Sequence, residues 1–493
     1  MKLNDTALYL SLIRSTLEHS ILPELQTPGA KGAAGLITNV LNELARREDA
    51  LPPAIDKTNA EGEHIAADMR ALLKRPAVST TTPMAMPTNT QSFRGPATTF
   101  AALSADIADL AKALRDEAGK DSATASLLRR AAEWEANAHT NFIKVPAPEL
   151  AQAAVADPLP LPALQSFLRG VHPAGERLNV ISIHRIPGGF GKQTYMVEID
   201  DGSGNHQPLV IRKNDRIQIL HHSSAGLERE FNLLKVVHAA GYPAPNPLWF
   251  GKAVPGIDAD FMVVEKLPGS VIGAFLGGGA DARIPESQML LLAELLARLH
   301  TLDLDAFAAL TPQFEDAALL TDTVEQCTRR TMAGWRKAAE DHGYLPSPLM
   351  DYLFNWLADN VPQDQRRPVL AHGDFGSHNI LMDDGKVTAV LDWEGSMFAA
   401  PEMDLVYAQP LVSKHIEWDR FLAHYIACGG RAPDAESMNY YMTFLSLRVI
   451  LVGNVANRNL QSGISNDIRY AMFELGLTPH FMQQTLATTA DKP

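Results

Sequence analysis

Twenty-five residues, Val369 to Trp393 (VLAHGDFGSHNILMDDGKVTAVLDW), constrain the fold of this chain more than any other stretch. The apolar run Pro368 to Ala371 reads as a short buried strand entering a loop, in which Asp374 follows His372-Gly373 and Asn379 lies five residues on. Ile380-Leu381-Met382, a turn at Asp383-Asp384-Gly385-Lys386, and Val387 to Leu391 then read as a hairpin with a β-rich second arm. Asp392 tops that arm. Alone, a His-Gly-Asp triplet is most often a turn with a side-chain cap. Joined by a hairpin to an apolar strand ending in Asp-Trp, it becomes a compound pattern that favours a functional reading.

Protein kinases keep the same Asp-to-Asn interval in their catalytic loop, where the Asp takes the attacking hydroxyl's proton and the Asn holds magnesium. The stretch resembles the aminoglycoside phosphotransferase and choline kinase family, whose signature is HGDxxxxN followed by a hydrophobic-Asp-Trp pair. Pro401 and Asp404 in AAPEMDLVYA match a further Pro-then-Asp element, although Ala399-Ala400 replace its usual Gly-Asp. The resemblance implies an α+β, two-lobed protein-kinase-like fold, with a β-rich amino-terminal lobe and a helical carboxy-terminal lobe. It also implies ATP as phosphoryl donor and Mg²⁺ as cofactor. Asp374 would be the catalytic base, Asn379 and Asp392 the metal ligands, and His372, Trp393 and Asp404 supporting residues.

At 493 residues the chain exceeds what one such domain needs, so an extra module is expected. Apolar residues recur at helical spacing over Thr6 to Ser20, Lys31 to Arg47, Asn59 to Lys74, Phe100 to Ala118 and Ser122 to His139. Residues 1–145 therefore read as an all-α accessory domain that packs on the kinase lobes. It is interrupted by a Pro- and Thr-rich linker near 75–99, whose segment Arg75 to Thr99 has four prolines and no periodicity. A joint at 146–165, an amino-terminal lobe at 166–268 and a carboxy-terminal lobe at 269–493, with the catalytic loop at 370–394, complete the expected organisation.

From Leu178 the texture is β-like. Val180 to Arg185 and Gln193 to Asp200 flank PGGFGK, whose Gly188, Gly189 and Gly191 can bring backbone amides close to phosphate oxygens. It is no Walker A loop, because Lys192 is followed by Gln193 rather than Ser or Thr. Lys192 is either a phosphate contact or a solvated loop lysine. Strand Pro208 to Ile211 delivers Arg212 and Lys213, of which only one can face a cleft, since successive strand side chains alternate. Apolar pattern favours Arg212 as the cation for the ATP phosphates, with Lys213 left open. Glu230 is the helix carboxylate expected to pair with it, and Glu228 competes for that place. Glu265 to Leu267, after the strand Phe261 to Val264, reads as the interlobe hinge whose backbone would hold adenine.

A net charge of −14 argues against a nucleic-acid surface. No membrane span or signal peptide is legible, and Cys327 and Cys428 are too few for a disulfide framework. The expected setting is the cytoplasm. The expected partners are ATP and a small-molecule hydroxyl acceptor, with no nucleic acid and no membrane. For the acceptor, a hydroxyacyl-CoA or a hydroxylated aromatic ketone or phenol of catabolism is favoured. An aminoglycoside or choline-like acceptor is the alternative, and it would require a dense acidic cluster that the carboxy-terminal helices lack.

Overall fold

The computed structural model describes residues 13–14, 17–26, 28–47, 51–75, 94–118, 122–140, 159–186, 191–215, 226–273, 284–310, 320–462, 464, 470 and 473–490. The chain divides into two compact units. One gathers Met1–Ala153, Ala339–Asn360 and Thr443–Pro493; the other comprises Ala154–Ala338 and Val361–Met442.

In the first unit the helices Leu51–Leu72, Arg94–Ala118 and Ser122–Thr140 bury one face each around Ile55, Ile65, Met69, Ile107, Leu114 and Trp134. Each such side chain contributes roughly 1.5–3 kcal/mol relative to its exposed state. Gly62 lets two helices close up, since a Cβ there would collide with Leu103 and Trp134. Trp134 Nε1 donates to the Thr58 carbonyl at 2.7 Å, so its polar edge is satisfied inside the core. Later segments complete this unit. Glu135 Oε2 accepts from Ser347 Oγ at 2.8 Å and from the Leu349 amide at 2.9 Å, at the start of the helix Pro348–Asp359. Arg129 donates to Tyr352 Oη, Thr489 Oγ1 and the Leu486 carbonyl. The expected lobe 269–493 therefore does not stay whole, because helical periodicity shows that a face is apolar but not which partner covers it.

The second unit opens with the helix Leu161–Val171, which starts inside the expected 146–165 joint, with Pro162 in its first turn. Five strands follow: β1 (Asn179–Ile186), β2 (Lys192–Asp200), β3 (His206–Asn214), β4 (Pro247–Gly251) and β5 (Phe261–Glu265). They form one antiparallel sheet in the order β1-β2-β3-β5-β4. Strand alternation gives the sheet two apolar faces. Leu209, Ile211, Phe261 and Val263 pack with Leu164 and Leu168 of the first helix, whereas Met262 and Val264 join a core with the helix Leu227–Ala239.

That second core continues into the helical lobe through Leu292, Leu296 and Leu299 of the helix Glu286–His300 and through Leu370, Val390, Trp393 and Leu405. Two small sheets carry the signature stretch. In one, β6 (Ser270–Val271), β8 (Ile380–Asp383) and β9 (Lys386–Val390) run in the order β6-β8-β9; in the other, β7 (Val369–Ala371) pairs with β10 (Met397–Ala399). The β8–β9 hairpin turns on Asp384 and Gly385, both at positive φ (46° and 77°), a combination that favours an Asp-Gly pair. Gly269 approaches β8 so closely that a Cβ would strike the Met382 carbonyl. Among the described residues no helix is long and apolar enough to cross a membrane.

Candidate active site

The signature loop is built by pairing β7 with β10. Leu370 lies opposite Phe398, so the chain leaving β7 meets the chain that continues from β10 into the helix Glu402–Val412. Asp404, in the first turn of that helix and fully buried, accepts from the His372 amide through Oδ2 and from the Gly373 amide through Oδ1, both at 2.7 Å. His300 Nε2 lies 3.1 Å from Asp404 Oδ2, and His300 Nδ1 lies 2.8 Å from Tyr425 Oη. Burial alone would raise the Asp404 pKa, but His300 and the backbone amide outweigh it and hold the carboxyl below its ordinary value.

Asp374 emerges from this fixed loop with its side chain 31% exposed. Asn379 Nδ2 donates to the Asp374 carbonyl at 2.9 Å and to Asp374 Oδ2 at 3.0 Å. The Leu391 amide donates to the Asn379 carbonyl at 2.8 Å, which ties the loop to the residue preceding Asp392. Asp392 adopts a left-handed backbone, φ 65°, a strained setting that costs on the order of 1 kcal/mol in a non-glycine residue. His372 is buried and donates from Nε2 to the Leu391 carbonyl at 2.9 Å; burial lowers its pKa and keeps it neutral. Trp393 closes the rear wall, 4.9 Å from the His372 ring, with its Nε1 donating to the Val390 carbonyl.

Across the cleft, Arg212 on β3 donates to Asp392 Oδ1 at 2.8 Å and lies 3.1 Å from Glu230 Oε1. Burial opposes its charge, yet Glu230, Asp392 and Glu394 together raise its pKa. Lys213 requires correction as a phosphate contact. It occupies the opposite face of β3, is 1% exposed, and pairs with Asp258 at 2.6 Å. Strand alternation separates the two cations. It also settles the helix carboxylate: Glu230 is buried against Arg212, while Glu228 is exposed and pairs with Lys252.

Lys192 is no solvated loop lysine. It is buried at the start of β2, with Nζ 3.5 Å from Glu394 Oε2. Gly191 takes a positive φ of 77° and its carbonyl accepts from the Asp215 amide, whereas Gly188 and Gly189 lie outside the described residues. Glu265 turns its carboxylate to the Asn246 amide at 2.8 Å, and the partly buried Leu267 follows in the segment joining β5 to β6.

Three residues escaped the sequence reading. Glu394 lies 3.6 Å from Arg212 Nη2, and its pKa is pushed up to about 7, first by burial and then by Asp392. A second carboxylate, two residues after Asp392 in the otherwise apolar run VLDWEGSMFAA, is the sequence signal for it. His378 lies 3.6 Å from Asp374 Oδ1, and Tyr407 Oη lies 3.4 Å from His378 Nε2. Burial would raise the Asp374 pKa, but the His378 and Tyr407 contacts outweigh it and lower it. The spacing of His378 from Asp374 is the sequence signal there.

Residues 182–441, just over half of the chain, match the phosphotransferase enzyme family, and the chain belongs to that family. Its two-lobed, kinase-like α+β fold agrees with that membership. The chain is 30% identical over 214 residues to acyl-CoA dehydrogenase family member 11 of Gallus gallus, which covers 41% of this chain and 25% of that protein. To the Rattus norvegicus protein of the same name it is 27% identical over 283 residues, 53% of this chain and 35% of the relative. It thus spans about a quarter to a third of the length of these curated relatives. A solved putative aminoglycoside phosphotransferase from Ralstonia eutropha shares 17% identity at a TM-score of 0.48, covering 67% of this chain and 98% of that one.

Proposed function

We propose that this chain is an ATP- and Mg²⁺-dependent phosphotransferase of the cytoplasm that phosphorylates a hydroxyl of a small catabolic molecule. The acceptor is a hydroxyacyl-CoA or a hydroxylated aromatic ketone or phenol, and the acyl-CoA in the names of the relatives favours the thioester. One observation carries the reading. The Asp374 carboxylate, the Asn379 side chain and Asp392 are tied into one loop, with the buried Arg212 guanidinium bonded to Asp392.

Phosphoryl transfer leaves the protein mainly positioning and charge neutralisation to perform. Asn379 donates from its nitrogen to Asp374, so its carboxamide oxygen is free to turn elsewhere, and Asp392 is 33% exposed. An amide oxygen and a carboxylate are the hard donors that magnesium takes, alongside phosphate oxygens and water. Bound there, the metal would neutralise phosphate charge. Arg212, held by Glu230, presents a cation to the α- and β-phosphates. Backbone at Glu265 to Leu267 holds adenine. Asp374, ionised at neutral pH, orients the acceptor hydroxyl and accepts its proton late. His378 and Tyr407 flank that carboxylate and steady its direction.

A coupled assay of ATP consumption against hydroxyacyl-CoAs, hydroxyaryl ketones, choline and aminoglycosides tests the proposal. Saturable turnover with one of the first two classes is expected. Turnover confined to choline or aminoglycosides would replace the acceptor assignment, and turnover with none of the four would overturn it.

A further inference from the structure

The register of the five-stranded sheet orders the cations of the cleft along one line. Leu209 of β3 lies opposite Glu265 of β5 and Val197 of β2, so this level of the sheet adjoins the segment Glu265 to Leu267. β3 then runs away from that segment, and Arg212 stands three residues along, opposite Thr194 and Met262. Lys192, the first residue of β2, lies opposite Asn214, two residues further still. Cross-strand partners share a face of a sheet, and so do alternate residues of one strand. Lys192, Thr194 and Arg212 therefore lie on the same face, whereas Lys213 lies on the other. At about 3.4 Å per residue, the level of Lys192 is roughly 7 Å beyond that of Arg212.

The two cations converge on one atom. Lys192 Nζ lies 3.5 Å and Arg212 Nη2 lies 3.6 Å from Glu394 Oε2. Both distances exceed those of a charge-assisted hydrogen bond, and Oε2 accepts none. Lys213, on the opposite face, shows a closed lysine pair in the same sheet, with its Nζ 2.6 Å from Asp258 Oδ1. The buried Lys192 ammonium is thus drawn toward Glu394 without being bonded to it. An anionic oxygen placed between Lys192 and Arg212 would accept from both.

We propose that Lys192 binds the terminal phosphate of ATP and so distinguishes the triphosphate donor from its diphosphate product. The inference rests on the function proposed above, in which backbone at Glu265 to Leu267 holds adenine and Arg212 meets the α- and β-phosphates. A nucleotide laid along that line carries its phosphates outward from adenine, past Arg212 and toward Lys192. The terminal phosphate reaches Lys192, and the shorter tail of ADP stops at Arg212. The flexible four-carbon stem of a lysine lets Nζ turn from Glu394 to a phosphate oxygen while the strand stays in place. Transfer of the phosphoryl group then removes the contact, which weakens the hold on ADP and favours its release.

Calorimetry on the full chain with Mg²⁺ compares AMP-PNP, a triphosphate that is not turned over, with ADP. Lys192→Met, which keeps an apolar stem of similar length, should weaken AMP-PNP about ten- to a hundredfold, the worth of one charge-assisted hydrogen bond, and ADP less than about threefold. Lys192→Arg, which keeps the charge, should hold AMP-PNP within about threefold of the parent. ³¹P spectra of AMP-PNP bound to Lys192→Arg give a reading that needs no loss of affinity: the γ resonance should move from its position in the parent complex and the α resonance should stay. Equal weakening of AMP-PNP and ADP by Lys192→Met, no weakening of either, or an unmoved γ resonance in Lys192→Arg would overturn the assignment of Lys192 and leave the phosphotransferase reading standing. A parent chain that binds neither nucleotide would overturn both.

Discussion

The Arg212 guanidinium donates to Asp392 Oδ1 at 2.8 Å, joining strand β3 to the residue beyond β9 across 180 positions of sequence. The cation assigned to the phosphates and the carboxylate assigned to the metal are therefore in direct contact. Charge-assisted hydrogen bonds of this kind contribute roughly 1.5–3 kcal/mol. Arg212→Met should raise the KM for MgATP about ten- to a hundredfold, with a smaller effect on the KM for the acceptor. Steady-state kinetics with each substrate varied in turn checks this, and equal effects on both would remove Arg212 from the nucleotide side.

Asp374→Asn keeps the shape of the side chain and removes the proton acceptor. Turnover should fall about 10²- to 10⁴-fold while nucleotide affinity holds. Single-turnover kinetics together with nucleotide titration separate the two. Turnover within threefold of the parent would take the base role away from Asp374.

Asp392→Ala removes the carboxylate expected to supply the strongest hard-oxygen ligand of the loop. Calorimetry should show that Mg²⁺ no longer strengthens nucleotide binding. An unchanged MgATP affinity would show the metal assignment to be wrong.

Asp404→Asn should destabilise the protein by about 2–4 kcal/mol, since an amide cannot accept from the backbone at both His372 and Gly373. Because the carboxyl's folded pKa is lowered, its contribution is present at neutral pH and is lost as pH falls through that folded value. Urea midpoints measured from pH 6 downward should fall more steeply for the parent than for the variant.

Glu135 has the opposite sign, because its folded pKa is raised to about 7 from an ordinary 4.5. The folded state keeps the proton longer than the unfolded chain, so stability declines between these two values and levels off above them. The loss amounts to about 3 kcal/mol at full effect. Glu135→Gln should flatten the pH 4.5 to 7 limb of the stability curve, and an unaltered limb would assign it to other groups.

Much of the site was legible because its parts are local. His372 to Trp393 form one loop and one hairpin, so apolar alternation and an Asp-Gly turn suffice to bring Asp374, Asn379 and Asp392 to one end. Arg212 needed one long-range fact, and the alternation of β3 supplied most of it, leaving Lys213 to be excluded by its pairing with Asp258. Glu394 was missed because a carboxylate after Trp393 reads as solvated until Lys192 and Arg212 are brought beside it by a different lobe. The carboxy-terminal helices went to the wrong unit for a related reason. An apolar stripe on Ala435–Gln461 or Thr478–Thr488 is equally compatible with either core.

The chain passes from one unit to the other four times, so the first unit draws on residues on both sides of the catalytic loop. During synthesis the early helices emerge hundreds of residues before Tyr352 and Thr489, the partners of Arg129. Their uncovered faces must wait on the ribosome for the rest of the polypeptide. A single proteolytic cut or gene fission at the end of the early helices would therefore leave two fragments that each carry part of one core, and this interleaving makes the pair inherit, express and turn over as one protein.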